Sequence, residues 1–156
     1  MKRPSRQLLI VAAAAALAAP LAALAAGKVE VLQPWSRPAV AGTNAVGYMV
    51  LANHGRDADA LVKVESPLAA RVEIHSTSMA GGMMSMQQVD KAPVPAGGQT
   101  TFGPGAYHLM LIGLTKTLKP GDTAPATLSF ASGAKVKVAF LVSAGMGPPA
   151  AGGAAH

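Results

Sequence analysis

Short runs of alternating apolar and polar residues cover most of the chain from residue 28 onward. In the last run, Val136 and Val138 alternate with Lys135 and Lys137, which is the period of two that a strand with one buried face requires. Gly, Pro, Asn and Asp separate the runs and favour turns between them. The runs predict eight or nine strands, at residues 29–32, 45–53, 61–65, 71–75, 86–89, 100–102, 107–112, 126–130 and 135–142.

The spacing of these runs indicates the fold class. The runs are short, and turn signals separate each from the next, an arrangement typical of antiparallel β-sandwiches and barrels. Beyond the first 25 residues, no window has the periodicity of an amphipathic helix. We therefore expect an all-β domain built as an antiparallel sandwich.

Residues 1–25 have the composition of a cleavable export signal. Three basic residues stand within the first six positions, an alanine-rich apolar stretch covers residues 8–24, and Ala23-Leu24-Ala25 fits a signal peptidase site. An uncleaved membrane anchor is the alternative, but Pro20 interrupts the stretch, and alanine is only weakly favoured in membranes. We predict export, with a bacterial periplasm as the destination.

The rest of the chain divides into a domain and a tail. Residues 26–143 contain all the predicted strands. Residues 144–156 are rich in Gly and Pro and lack apolar periodicity, which favours a flexible tail. Met146 and His156 lie in this tail. We expect them to be solvated, and they are the next candidates for a second metal site.

Composition and charge narrow the functional classes. Hydrophobic residues make up 51% of the chain and charged residues 13%, which excludes a disordered protein. The net charge is +6, but three of the basic residues belong to the predicted signal and no basic run occurs, so no nucleic-acid surface is indicated. The absence of cysteine excludes thiolate metal sites, iron–sulfur clusters, disulfides and the blue-copper ligand set.

The sequence also lacks the motifs of common enzyme classes. It contains no HExxH, GxSxG, Walker A or GxGxxG pattern. Its seven acidic residues are scattered along the chain, so a site built on paired carboxylates is not indicated. We predict that the protein is not an enzyme.

Methionines and histidines carry the candidate chemistry. Met79, Met83, Met84 and Met86 cluster around a Gly-Gly pair that predicts a loop, and His75 ends the strand before it. Core packing, the usual role of methionine, does not explain flexible thioethers on a loop. This cluster is therefore a candidate binding element.

A second element lies on the strand predicted at residues 107–112. His108 and Met110 are two residues apart, so they share one face, with Cα atoms about 6.5–7 Å apart. Leu109 and Leu111 occupy the other face and suit a core. We expect His108 and Met110 to point together toward an outer surface.

Thioether and imidazole groups together form a soft, uncharged set of ligands. Such a set suits Cu(I), whereas Mg²⁺ and Ca²⁺ prefer oxygen, and structural Zn²⁺ sites use thiolate and imidazole. Methionine needs no deprotonation and, unlike cysteine, is not lost to disulfide formation in an oxidising compartment. The sequence therefore favours Cu(I).

The spacing of these residues resembles a known family motif. Intervals of ten, twenty-one and one residues separate His75, Met86, His108 and Met110. This is the H-x₁₀-M-x₂₁-H-x-M pattern of the periplasmic copper chaperones called PCu(A)C-like. The resemblance extends over about residues 29–142 and includes the segments at 34–37, 48–53, 103–111 and 118–122.

The resemblance implies a cupredoxin-like β-sandwich with Greek-key connections. It implies one Cu(I) bound by His75, Met86, His108 and Met110. It also implies delivery of the ion toward the dinuclear copper centre of cytochrome c oxidase, alongside a thiol-bearing partner chaperone. We expect the carrier to be a monomer.

Two questions stay open at the level of sequence. Met84, Met83 or Met79 could replace Met86 as a ligand, because the loop holds more methionine than the motif requires. The alternatives to a chaperone are a copper buffer without a dedicated recipient, a copper-dependent oxidoreductase and a structural sandwich without metal. Cu(II) prefers nitrogen and oxygen ligands in tetragonal geometry, which disfavours the oxidoreductase.

Overall fold

A computed structural model describes residues 28–148 of the chain. The predicted export signal at residues 1–25 and most of the predicted tail, residues 149–156, lie outside the described residues. Between residues 28 and 148, no helix has the length and hydrophobicity that a membrane crossing requires.

The described chain is all-β, as the hydrophobic pattern predicted. It forms the strands β1 (Val29–Ser36), β2 (Ala45–Asn53), β3 (Asp59–Glu65), β4 (Ala69–Ala80), β5 (Met83–Gln88), β6 (Ala92–Val94), β7 (Gln99–Phe102), β8 (His108–Leu114), β9 (Thr123–Phe130) and β10 (Lys135–Val142).

Nine of the strands follow one another in a single hydrogen-bonded order. That order is β5-β4-β8-β2-β1-β10-β9-β3-β6, and β7 pairs with β2 beyond the end of β8. The pairing of β1 with β10 is parallel, through Trp35 opposite Leu141 and Ser36 opposite Val142. The other pairings between these strands are antiparallel, so the antiparallel prediction fails only at this junction.

The sheet folds over on itself and encloses one apolar core. Strand β3 packs against β4, and β6 packs against β7. Side-chain hydrogen bonds help to hold this closure, because the Asn53 amide donates to the Val94 carbonyl and the Thr100 hydroxyl donates to the Pro93 carbonyl. The largest fully buried side chains are those of Phe140, Met49, Leu51, Leu61, Leu109, Leu111, Leu118 and Leu128.

The structure corrects the predicted loop around the Gly-Gly pair. Gly81 and Gly82 have φ angles of 63° and 76°, the left-handed conformation that a two-residue hairpin turn of type I′ needs at both positions. They connect β4 directly to β5, so the methionines lie on strands and not on a mobile loop. We call residues 76–88 the methionine hairpin.

Strand β6 had no sequence prediction. It contains three residues, one of them Pro93, and it ends the strand order. Proline lacks a donor and is tolerated on edge strands, where one side of the backbone needs no partner. Three residues are too few to show the apolar–polar alternation by which a strand is recognised in a sequence.

Phe140 provides a test of the core. Its side chain is 1% exposed, and removing a buried aromatic ring leaves a cavity that costs about 3–5 kcal/mol. We expect Phe140→Ala to lower the free energy of unfolding by that amount in urea titrations. Val62→Ala is the control, because Val62 is 40% exposed and such surface changes stay within about 0.5 kcal/mol. Equal losses in the two variants would contradict this core.

Candidate metal centre

Three neighbouring strands bring the predicted ligands onto one face of the sheet. His75 on β4 lies opposite His108 on β8, and Thr77 on β4 lies opposite Met86 on β5. Residues directly opposite in a sheet share a face, as do residues two apart on one strand. His75, Met86, His108 and Met110 therefore all project from the same side.

Buried apolar residues on β4 and β8 show which side of the sheet faces the core. Ile74, Leu109 and Leu111 alternate with the candidate ligands and are 4%, 0% and 2% exposed. Burial of these side chains anchors β4 and β8 against the core and turns the histidines and methionines away from it. The predicted shared face of His108 and Met110 is confirmed.

A cavity of about 450 Å³ opens on this face. Met86, His108 and Met110 line it, together with Met84 and Arg37. The ring centroid of His75 lies 5.4 Å from that of His108, which is one of these lining residues. We call this space the His–Met cavity.

His108 lies deeper than the sequence indicated. It was expected at an outer surface, but only 6% of it is exposed, because the methionine hairpin and the residues around Pro104 and Gly105 rise beside it. Burial lowers the pKa of His108, and the nearby His75 lowers it further, while the Ala106 backbone partly offsets the effect. The imidazole is therefore held in the neutral form that a metal ligand requires.

Glu73 orients the other imidazole. Glu73 Oε2 lies 2.9 Å from His75 Nε2, and Glu73 Oε1 lies 2.7 Å from Arg71 Nε. The hydrogen bond with His75, followed by that with Arg71, lowers the pKa of Glu73, so its carboxylate is ionised and only accepts. Because this carboxylate only accepts, His75 Nε2 is the donor in the contact, and Nδ1 is the ring nitrogen that remains for a metal.

The hairpin divides its methionines between two faces. Met84 lies opposite Met79, and Met83 lies opposite Ala80. Met84 and Met79 therefore share the face of Met86, whereas Met83 points to the opposite side. Of the possible replacements for Met86, Met84 already lines the cavity and Met83 faces away from it.

Arg37 and Tyr48 complete the cavity, and sequence reasoning missed both. The Arg37 guanidinium carbon lies 5.7 Å from the centre of the Tyr48 ring, and Tyr48 packs at 4.7 Å against the buried ring of Trp35. Arg37 Nη2 also lies 3.9 Å from the sulfur of Met146. No local signal marked Arg37, because only the pairing of β1 with β2 brings it to this face.

The other sequence candidates do not line the cavity in the part of the chain that the structure describes. His54 was predicted at the surface, where it pairs with Glu30 at 2.8 Å, and both side chains are exposed. Met146 is 81% exposed, while His156 lies outside the described residues. A second metal site built from Met146 and His156 stays a prediction.

The donor set of the cavity fits a soft, monovalent ion. Within residues 28–148, no group of three or more His, Asp or Glu side chains is arranged to hold a metal. The cavity instead offers the His108 imidazole and the thioethers of Met84, Met86 and Met110, with the ring of His75 next to that of His108. That set matches Cu(I) and offers little to Mg²⁺, Ca²⁺ or Zn²⁺.

The sequence matches a family described as "Putative lipoprotein LpqE-like" over residues 29–142. The chain belongs to this family. A relative from Leifsonia xyli subsp. xyli (strain CTCB07), named Putative lipoprotein Lxx21020, is 30% identical over 115 residues, which cover 73% of this chain and 69% of the relative.

Solved structures confirm the resemblance to PCu(A)C-like proteins and the cupredoxin-like fold. The copper-bound PCuAC domain from PmoF2 matches with a TM-score of 0.65 and 28% identity, covering 76% of this chain and 95% of that domain. The solution structure of CuI-DR1885 from Deinococcus radiodurans matches with a TM-score of 0.59 and 30% identity, covering 76% of this chain and 82% of that one.

The burial of His108 predicts a pH dependence of stability in the metal-free protein. The pKa of His108 is lowered in the folded state, while an unfolded chain has the ordinary value of about 6.5. Below that pH the unfolded state takes up a proton that the folded state resists, so the free energy of unfolding should fall as the pH falls.

We expect His108→Gln to reduce this fall between about pH 7 and about pH 5, measured by urea unfolding at both values. His54→Gln is the matched control, because the His54 side chain is exposed. If His108→Gln lost as much stability between these pH values as the wild type does, groups other than His108 would cause the pH dependence.

Proposed function

We propose that this protein is an exported carrier that binds one Cu(I) through His75, Met86, His108 and Met110 and passes it to a recipient. One observation carries the proposal. His108, Met86 and Met110 line one cavity, and the ring of His75 lies 5.4 Å from that of His108, in a chain without cysteine. Two of the similar solved structures are copper-bound forms, which supports copper here.

The neutral ligand set favours Cu(I) over Cu(II). Cu(II) prefers nitrogen and oxygen ligands in tetragonal geometry. The nearest carboxylate, Glu73, is occupied by His75 and Arg71, and the Arg37 guanidinium adds positive charge to the cavity wall. Both features disfavour the more highly charged ion, so we propose storage and transfer without redox turnover, and no enzymatic reaction.

The positions of the ligands in the sheet suggest how the ion leaves. His75 and His108 sit on paired strands, and β8 is flanked on both sides, whereas Met86 sits on the edge strand β5 and is 62% exposed. We propose that an incoming ligand displaces the Met86 thioether first, while the imidazoles still hold the ion. Release then proceeds by exchange of one ligand at a time.

The ligand chemistry supports the proposed compartment, and the resemblance to PCu(A)C-like proteins implies the recipient. Thioethers keep Cu(I) in an oxidising space without risk of disulfide formation, which fits the periplasm that the predicted export signal indicates. We propose delivery toward the dinuclear copper centre of cytochrome c oxidase, alongside a thiol-bearing partner chaperone. A monomer with an open site edge can meet such partners directly.

Anaerobic competition with a chromophoric Cu(I) chelator tests the ligand set. We expect one tight Cu(I) per chain. His108→Ala and Met110→Ala should each weaken binding by at least about tenfold, because no neighbouring side chain can replace a ligand from β8. Met86→Leu should cost less, since Met84 lies on the same face, and Met84→Leu/Met86→Leu together should match the β8 variants.

Leucine keeps the volume of methionine, so the Met86→Leu and Met84→Leu/Met86→Leu variants should fold normally. Met83→Leu is the control, because Met83 lies on the opposite face of the hairpin. A stoichiometry of zero, or displacement of Cu(I) by Zn²⁺, would refute the proposal.

Glu73 should affect Cu(I) affinity by orienting the ring of His75. Loss of a residue that orients a metal-binding histidine costs about 10–100-fold in affinity. We expect Glu73→Ala to weaken Cu(I) binding within that range and Glu73→Gln to weaken it less, because the amide oxygen still accepts from Nε2. Glu65→Ala is the control, since Glu65 is an exposed carboxylate paired with Lys63.

¹⁵N NMR of the histidine ring reports the same contact directly. In the wild type the proton of neutral His75 should reside on Nε2, and in Glu73→Ala it should distribute between both nitrogens. Unchanged tautomers in that variant would contradict the orienting role of Glu73.

A further inference from the structure

The methionine hairpin exposes more thioether than the proposed Cu(I) site uses. Met79 and Met84 are 67% and 61% exposed, although both belong to well-formed strands. Large apolar side chains are normally buried, and a cluster of them in water calls for a functional explanation. Met84 lines the His–Met cavity, whereas Met79 lies beyond it toward the hairpin tip.

The strand register places these two thioethers together. Met79 and Met84 are directly opposite each other across β4 and β5, which sets their Cβ atoms about 4.5–5.5 Å apart. Methionine has three rotatable bonds, so two such side chains can bring both sulfurs to one soft ion. Met86 follows two residues later on the same face and connects the pair with the cavity.

The other face of the hairpin holds the pair in place. The hydroxyls of Ser78 and Ser85 lie 3.0 Å apart, directly across the same two strands. With the tight turn at Gly81 and Gly82, this contact fixes the register at the tip. The thioethers therefore project from a defined surface and not from a loop.

The charge of the segment selects the class of ligand. Residues 76–88 contain no acidic and no basic side chain. Hard divalent cations find no carboxylate there, and anions find no guanidinium or ammonium group. Two thioethers in an uncharged surface suit only a soft, monovalent cation such as Cu(I) or Ag(I).

We propose that Met79 and Met84 form a second, weaker Cu(I) site at the hairpin tip, through which the ion enters and leaves the His–Met cavity. Met84 can contribute to both sites, because it faces Met79 on one side and the cavity on the other. The direction of transfer rests on the function proposed above, but the binding of a soft ion at the tip does not.

Titration with Ag(I), a soft ion that does not oxidise, separates the two sites. We would label the methionine methyl groups with ¹³C in the chain purified from the periplasm and assign them with single Leu variants. The first equivalent of Ag(I) should shift the methyl signals of Met86 and Met110. A second, weaker equivalent should shift those of Met79 and Met84 and leave Met83 in place.

Kinetics test the path. We expect Met79→Leu, which removes the thioether that lies outside the cavity, to slow Cu(I) transfer to a chromophoric chelator by about tenfold, while the affinity of the first equivalent changes by less than about threefold. Met83→Leu should leave both quantities unchanged. Leucine preserves the apolar surface, so it would not disturb a role in protein docking. A slower transfer in the leucine variant would therefore show that the sulfur atom is required.

The outcomes distinguish the two proposals. If the first equivalent leaves Met86 and Met110 unmoved while Met79 and Met84 shift, the tip site stands and the proposed carrier site fails. If Met83 and Met146 shift as much as Met79 and Met84, binding is unspecific and the tip site is refuted. Unchanged transfer kinetics in Met79→Leu would refute the role of the tip site as an entry point.

Discussion

The antiparallel register between β4 and β8 is the constraint on which the site depends. It places His75 opposite His108, and the buried Ile74 and Leu109 on the other side of the same strands hold that register. A slip of one residue would turn His75 into the core and an apolar side chain into the cavity. Core packing and ligand placement are therefore a single property of these two strands.

Position within the sheet also separates the proposed ligands by how exposed they are. The imidazoles project from strands that have neighbours on both sides, and Glu73 fixes one of them by hydrogen bonding. Met84 and Met86 project from the edge strand β5, and both are exposed. This difference suits a carrier, because ligands on inner strands would retain the ion while ligands on the exposed edge strand would exchange with those of the recipient. The absence of charge on the hairpin keeps that exchange selective for soft ions.

The sequence predicted features that depend on residues close together in the chain. The alternation of Val136, Val138 and Phe140 predicted β10, and the two-residue spacing of His108 and Met110 predicted their common face. Properties set by distant strands were out of reach, such as the burial of His108 and the entry of Arg37 into the cavity. The turn at Gly81 and Gly82 was readable in principle, because adjacent glycines favour a type I′ hairpin. Recognising it would have separated Met83 from Met84 and Met86.

X-ray absorption spectroscopy of the Cu(I)-loaded chain tests the central claim most directly. The account predicts a copper edge of the monovalent ion and a first coordination shell with two imidazole nitrogens and two thioether sulfurs. Loss of part of the sulfur signal in Met110→Leu, with the imidazole signal retained, would support the assignment. A shell that contains only nitrogen and oxygen, or a chain that retains no copper, would contradict it.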